Sequence, residues 1–228
     1  MVGSFPLETQ VYLIRHGVTD WHTEGRVLGH RDIALNDLGF KQAAAAAESL
    51  GGVPIAEVIS SPLVRSLQTA DVIGKQFGID VARDPRLIDF RAGKWEGMSY
   101  KDVAASEEYQ KFLVDPTFEG IPGADSFGAV QARAVAAIEQ TLEDNPSGDN
   151  IAVITHAGII RVILTHYLGS PPANYHRIRV SPGSISVLSF TDGRELPRVL
   201  VVNWAPNLAN IAGAKGSADG SGSGVIEL

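Results

Sequence analysis

Two histidines of this chain directly follow short apolar runs of strand type. His16 comes after Val11-Tyr12-Leu13-Ile14-Arg15, and His156 after Ile151-Ala152-Val153-Ile154-Thr155. Two arginines stand at comparable places: Arg15 precedes His16, and Arg65 follows Ser60-Ser61-Pro62 at the end of a third apolar run. A neutral imidazole nitrogen can attack phosphorus when its other nitrogen is held as a donor. A phosphoryl group carries about two negative charges at neutral pH. Its transfer spreads charge over the equatorial oxygens, so catalysis depends on positive, preorganised donors. Arginine suits that task, since its planar fork pairs bidentately with phosphate oxygens and stays charged. Two imidazoles and two guanidinium groups at one mouth make an anion site with a nucleophile.

Each residue also has a plainer explanation. A loop histidine is commonly packed or solvated, and an arginine on a helix commonly faces solvent. An aspartate in a loop, such as Asp89, often makes a turn or a cap. Arg15 is the exception, because a charge placed directly after a buried strand needs a partner.

The elements that would position these groups are legible in outline. Val11 to Ile14 predicts a buried strand ending in a loop. An alanine-rich helix should run from Asn36 or Asp37 to Leu50, capped by an Asn/Asp and stopped by Gly51-Gly52. Ala56 to Ser60 predicts a second strand, and Ser61-Pro62 an N-cap and first-turn proline for a helix reaching about Phe77. A third strand is expected near Ile79 to Ala82, a helix over Ser126 to Leu142, a strand over Ile151 to Thr155 and a helix to about Leu168. Two late strands, Ser184 to Phe190 and Arg198 to Val202, flank a turn at Asp192-Gly193. Strands alternating with helices predict an α/β fold, a three-layer αβα sandwich with a mainly parallel central sheet. Ligands of such sheets bind beyond the carboxyl ends of the strands. His16, Ser61 with Arg65, and His156 all follow such ends.

Composition bounds the alternatives. The 228 residues are 44% hydrophobic and 20% charged, enough for one large core, so 1–211 is expected to form one domain. The Gly, Ala and Ser content from 212 to 228 predicts a flexible tail. Gly220-Ser221-Gly222-Ser223-Gly224 follows no strand and opens no helix, which argues against a nucleotide loop. There is no cysteine, hence no disulfide framework and no thiolate nucleophile. No histidine pair has the i, i+4 zinc spacing around a glutamate, so neither metal nor cofactor is assigned. A net charge of −7 argues against nucleic acid, and no apolar run approaches the roughly 20 residues that span a bilayer. The expected partner is a small phosphorylated metabolite in the cytoplasm, without a membrane, and a homodimer stays open.

Leu13-Ile14-Arg15-His16-Gly17 with Thr19 and Trp21 resembles the signature of the histidine phosphatase superfamily, also called the phosphoglycerate mutase-like family. Further blocks fit in order: Gly25-Arg26 with Gly29, Asp32, Leu35 and Gly39; Ser60-Ser61-Pro62-Leu63 with Arg65; Leu87 with Asp89; Trp95-Glu96-Gly97; and Thr155-His156-Ala157-Gly158 with Arg161. The resemblance extends from about residue 10 to about residue 205. It implies that His16 accepts the phosphoryl group while Arg15, Arg65 and His156 surround it. Asp89 falls at the family's acid/base position, where glutamate is more usual. Its implied work is to protonate the departing alkoxide and then activate water against phosphohistidine.

The departures concern the surroundings of the substrate. Val18 stands for a common glutamate, Leu28 for a frequent glutamine, His22 for asparagine, Ala92 for an aromatic, and Ala124-Asp125-Ser126 for Gly-Glu-Ser. His22 and His30 either line the substrate entrance or are surface-loop residues. His166 and His176 read as structural or solvent-facing. A lid is expected between about Ser99 and Asp125, with Tyr100, Tyr109, Phe112 and Phe118 offering apolar surface. The expected function is hydrolysis of small phosphate monoesters through phosphohistidine on His16. A phosphoglycerate mutase is the alternative reading, and a phosphate-binding pseudoenzyme a further one. α-Ribazole phosphate, a phosphosugar, a phosphoglycerate derivative and phosphoserine are all open as substrates.

Overall fold

The computed structural model describes residues 7–146, 148–191 and 196–205. In chain order the elements are β1 (Glu8–Arg15), α1 (Asp20–Thr23), α2 (Asp37–Ser49), β2 (Ile55–Ser60), α3 (Val64–Phe77), β3 (Val81–Arg83), α4 (Tyr100–Ala104), α5 (Glu107–Val114), α6 (Phe127–Asp144), β4 (Asn150–Thr155), α7 (Ala157–Tyr167), β5 (Ile185–Thr191) and β6 (Arg198–Trp204), with short 3-10 turns between some of them. The sheet order is β3-β2-β4-β1-β5-β6. β3, β2, β4 and β1 run parallel, while β5 and β6 add antiparallel to one side. The turn at Asp192-Gly193 and the tail from 212 to 228 lie outside the described residues.

Strand alternation sorts the core into two layers, because successive side chains point to opposite faces. Val11, Leu13, Ile151, Val153 and Leu188 pack on one face against Ala134 and Ile138 of α6 and Ile159 and Ile163 of α7. Tyr12, Ile14, Ala152, Ile154 and Val187 pack on the other against Ala46 and Leu50 of α2 and Ala70 and Ile73 of α3. The α/β fold with helices on both faces is the one expected. A third apolar cluster, with Val27, Trp95, Val103, Tyr109 and Ile121, sits outside the sheet and joins α4 and α5 to the loops around residues 27 and 95.

The expected boundaries hold where a cap decides them. Asn36 accepts from Gly39 N–H to start α2, and Ser126 accepts from Ala129 N–H to start α6. Two expectations are corrected. The third strand begins at Val81, not Ile79, because the Ile79 N–H bonds back to the Gly74 carbonyl at 2.9 Å and holds the chain on the end of α3. α3 begins two residues later than Ser61-Pro62 suggests, with Leu63 at the cap. Its exposed Val64 N–H instead donates to Asp32 Oδ1 at 2.6 Å, a carboxylate supplied by another loop.

Register places the chemistry. Arg15 pairs with Thr155 across β1 and β4, and Ser60 with Ile154 across β2 and β4. The residues that follow, His16, Ser61 and His156, therefore emerge side by side at one sheet edge. The loop after β1 is seated by backbone contact: a Cβ on Gly17 would lie 2.4 Å from the Gly39 carbonyl oxygen. Gly17→Ala should lose about 1–3 kcal/mol of stability through this overpacking. Gly128→Ala, at an α6 position with nothing within 4 Å, should be neutral or gain about 0.5–1 kcal/mol from helix propensity. Equal urea midpoints for the two variants would contradict this packing.

Candidate active site

His16 is buried, its backbone N–H bonded to the Thr155 carbonyl at the end of β4. Its Nδ1 donates to the Gly17 carbonyl at 2.6 Å, which leaves Nε2 as the unprotonated nitrogen. Arg65 Nε lies 3.3 Å from that Nε2. Burial first, and then the positive field of Arg65, His156, His22 and Arg15, hold the His16 pKa well below the ordinary histidine range. The ring is thus neutral at neutral pH, with its lone pair on Nε2.

Arg65 has no exposed surface. Besides His16 it donates to the Arg31 carbonyl through Nη1, and through Nη2 to the Gly29 carbonyl and Asp89 Oδ2, the last at 3.0 Å. One guanidinium therefore links the β1 loop, the 29–31 loop and the Asp89 loop. The plain reading of Arg65 as a solvent-facing helix residue is excluded.

Asp89 is brought in by a 3-10 turn, Pro85–Leu87, whose Leu87 carbonyl accepts from Thr155 Oγ1 at 2.8 Å. Its Oδ2 also lies 3.4 Å from His156 Nδ1. Burial raises the Asp89 pKa, against the lowering influence of Arg65 and of the Phe90 N–H bonded to Oδ1. His156 Nε2 contacts Ser61 Oγ at 2.7 Å, and burial followed by Arg65 and Arg15 keeps this imidazole well below the ordinary range too. Ser61 is thus a partner of His156 rather than the cap of α3. The two rings, His16 and His156, stand 5.1 Å apart at 62°.

Arg15 is buried, and its Nη1 donates to the Val180 carbonyl at 2.7 Å. Its Nη2 lies 3.1 Å from His22 Nε2. His22 Nδ1 in turn faces the Thr19 N–H at 3.1 Å. Thr19 Oγ1 lies closer still to that Nδ1, at 2.9 Å, so a neutral His22 either accepts from the Thr19 N–H or donates to the Thr19 hydroxyl while Nε2 accepts from Arg15. Burial, then Arg15 and Arg65, push its pKa well down.

These groups stand at one end of a cleft that opens to solvent, with Arg65 and His156 buried behind its lining. Arg15, His16, His22 and Asp89 line one end, and Phe90, Trp95, Tyr100, Phe112, Phe118 and Ile121 line much of the rest. His22 stands at the cleft as expected. His30 does not: its Nε2 lies 2.8 Å from the Asp89 carbonyl, and it stands behind the acid loop instead of lining the cleft. Tyr109 is also removed from the surface assigned to it, since it packs edge-to-face on Trp95 at 5.9 Å, behind the wall. His176 is structural, with Nε2 3.2 Å from the Phe112 carbonyl.

Sequence reasoning missed Arg133. From α6 it donates to the Arg86 and Ile88 carbonyls at 2.5 Å each and to the Asp89 carbonyl at 2.8 Å. Nothing in its helical spacing marks it. Only the return of the acid loop across α6 gives it those acceptors.

The sequence profile of the histidine phosphatase superfamily, branch 1, matches residues 11–205. The chain belongs to this superfamily. Among its relatives, the probable phosphoglycerate mutase GpmB of Salmonella choleraesuis is 31% identical over 204 residues, covering 89% of this chain and 94% of that protein. The mycobacterial glucosyl-3-phosphoglycerate phosphatase aligns with a TM-score of 0.78 at 27% identity, over 86% of this chain and 99% of that one. The phosphoserine phosphatase of Entamoeba histolytica, solved with 3-phosphoglyceric acid, aligns with a TM-score of 0.76 at 26% identity, over 86% and 98% of the two chains. The matched span includes His16, Arg65, Asp89 and His156. Among the described residues, no helix is long and apolar enough to cross a membrane.

The buried imidazoles predict acid lability. His16, His22 and His156 have depressed pKa values in the fold, whereas the unfolded chain binds a proton at each below about pH 6.5. The unfolded state then holds more protons, so stability falls as pH falls below that value. Asp89, with a raised pKa, works in the opposite sense at lower pH, one group against three. The urea midpoint should drop between pH 7 and pH 5, and His156→Asn should flatten that slope. A midpoint independent of pH over this range would contradict the neutral-ring assignment.

Proposed function

We propose that the protein hydrolyses phosphate monoesters through a phosphohistidine on His16. The observation that carries the reading is the Nδ1–H bond to the Gly17 carbonyl, which aims a neutral Nε2 at the cationic end of the cleft beside Arg65. A phosphate monoester would enter with its oxygens exchanging for the present partners of Arg15 and Arg65. The Arg15–His22 contact is one that such an oxygen would replace.

In the first step the Nε2 lone pair forms the N–P bond as the ester P–O bond breaks, and protonated Asp89 gives its proton to the departing oxygen. The raised pKa of this carboxyl favours the proton-bearing form that the step requires. In the second step the Asp89 carboxylate takes a proton from water, whose oxygen attacks phosphorus and releases His16 and inorganic phosphate. Arg15, Arg65 and His156 Nδ1 supply positive charge or donors to the phosphoryl oxygens in both steps.

The likeness to a probable phosphoglycerate mutase supports a second reading, in which the phosphoryl group passes to another substrate hydroxyl instead of water. Purified protein offered p-nitrophenyl phosphate should release phosphate. Offered 3-phosphoglycerate with a trace of its bisphosphate, it should form little 2-phosphoglycerate, and rapid formation of that product would favour the mutase. Absence of both reactions would leave a phosphate-binding pseudoenzyme.

His16→Ala should lower kcat by far more than about tenfold, because a covalent catalyst is removed. Acid-quenched wild-type protein should carry acid-labile phosphate on His16. Retention of a tenth or more of kcat would refute the nucleophile. Asp89→Asn should slow alkyl phosphates at least about tenfold more than p-nitrophenyl phosphate, whose leaving group needs little protonation. Equal losses for the two esters would remove the acid role.

A further inference from the structure

Beyond the phosphoryl end, much of the cleft lining is apolar: Val27, Leu28, Phe90, Tyr100, Phe112 and Phe118. This surface is held in place by its own packing. Phe112 stacks edge-to-face on Trp95 at 6.1 Å and on His176 at 4.9 Å, and Phe90 on Tyr175 at 6.2 Å. Such contacts fix ring orientations.

Its charged lining away from the phosphoryl end consists of Arg91 and Asp125. Asp125 Oδ2 accepts from the Arg91 N–H at 3.0 Å and lies 3.8 Å from Arg133. The Arg91 residue itself is exposed. A substrate carboxylate or second phosphate placed here would meet an acidic side chain and apolar walls, with Arg91 exposed and Arg133 already engaged by Asp125 and by the Arg86, Ile88 and Asp89 carbonyls. Burying an anion without a close cation is costly, whereas an apolar group gains with each unit of area removed from water.

We infer that the organic part of the substrate is uncharged and largely apolar, an aryl or bulky alkyl group, and not a phosphoglycerate or other carboxylate-bearing ester. The inference rests on the phosphatase reading of the same site. It departs from the esters named for the related phosphatases, glucosyl-3-phosphoglycerate and phosphoserine, both of which carry a carboxylate. The sequence positions behind the departure are Leu28, Ala92 and Ala124, carbon side chains that line the cleft.

Phosphonates separate binding from leaving-group chemistry, since their P–C bond is not hydrolysed. Calorimetry with the full chain should give naphthylmethylphosphonate a Kd at least tenfold below that of 3-phosphonopropionate, a difference of about 1.4 kcal/mol. Phe118→Ser should narrow that ratio at least threefold. Among esters of matched leaving-group pKa, kcat/KM should favour the bulky uncharged alkyl phosphate over 3-phosphoglycerate. A carboxylate phosphonate that binds as tightly as the naphthyl compound, or a ratio unmoved in Phe118→Ser, would overturn the inference. Failure to turn over any ester while the naphthyl preference persists would instead sink the phosphatase reading alone.

Discussion

A guanidinium group with no exposed surface must be paired on every side, and the catalytic edge of this protein is organised around meeting that demand for Arg65. Its partners come from three separate loops: His16 after β1, the Gly29 and Arg31 carbonyls, and Asp89. Desolvating the cation is expensive, and the cost is offset only when all of those acceptors are in place. The same requirement that stabilises Arg65 therefore brings His16 and Asp89 onto one guanidinium group. Folding and assembly of the site are the same event.

Low local dielectric then divides the protonation states. The three imidazoles are kept neutral by burial reinforced by neighbouring cations, while Asp89 is pushed toward its protonated form by burial against the pull of Arg65. A neutral base and a protonated acid are the pair that phosphoryl transfer from a monoester needs at its first step. Hydrogen bonds complete the assignment where burial cannot. The Gly17 carbonyl selects the His16 tautomer, and Ser61 engages Nε2 of His156, leaving Nδ1 on the side of Asp89. His30 and Arg133, neither of which reaches the cleft lining, hold the main chain of the acid loop.

Reaction and selectivity are carried by different layers. The anion end belongs to the sheet edge, whose position follows from strand register. The apolar end belongs to the third cluster, outside the sheet, where Trp95 serves as the shared surface for Tyr109 and Phe112. A lid with its own small core can change its lining without disturbing the strands that hold His16 and His156. Leu28 and Ala124 line this part of the cleft, whereas Arg15, His16, Arg65 and His156 keep the superfamily pattern at the sheet edge.

Local sequence determined the strands, the long helices and the placement of His16, Arg65 and His156 just beyond strand ends. Apolar periodicity and caps such as Asn36 and Ser126 act over a few residues, and a parallel sheet places its strand ends together. Short-range signals failed where a distant partner took over. Ser61 looked like a helix cap, but His156 claims its hydroxyl and Asp32 caps α3 instead. The same is true of His30 and Arg133, whose roles depend on where the Asp89 loop returns. The short helices α4 and α5 escaped although each has a local cap, Ser99 accepting from the Asp102 N–H and Ser106 from the Tyr109 N–H. Tertiary structure alone decided the protonation states and the apolar character of the cleft, since burial and proximity are properties of neighbours that sequence spacing does not encode.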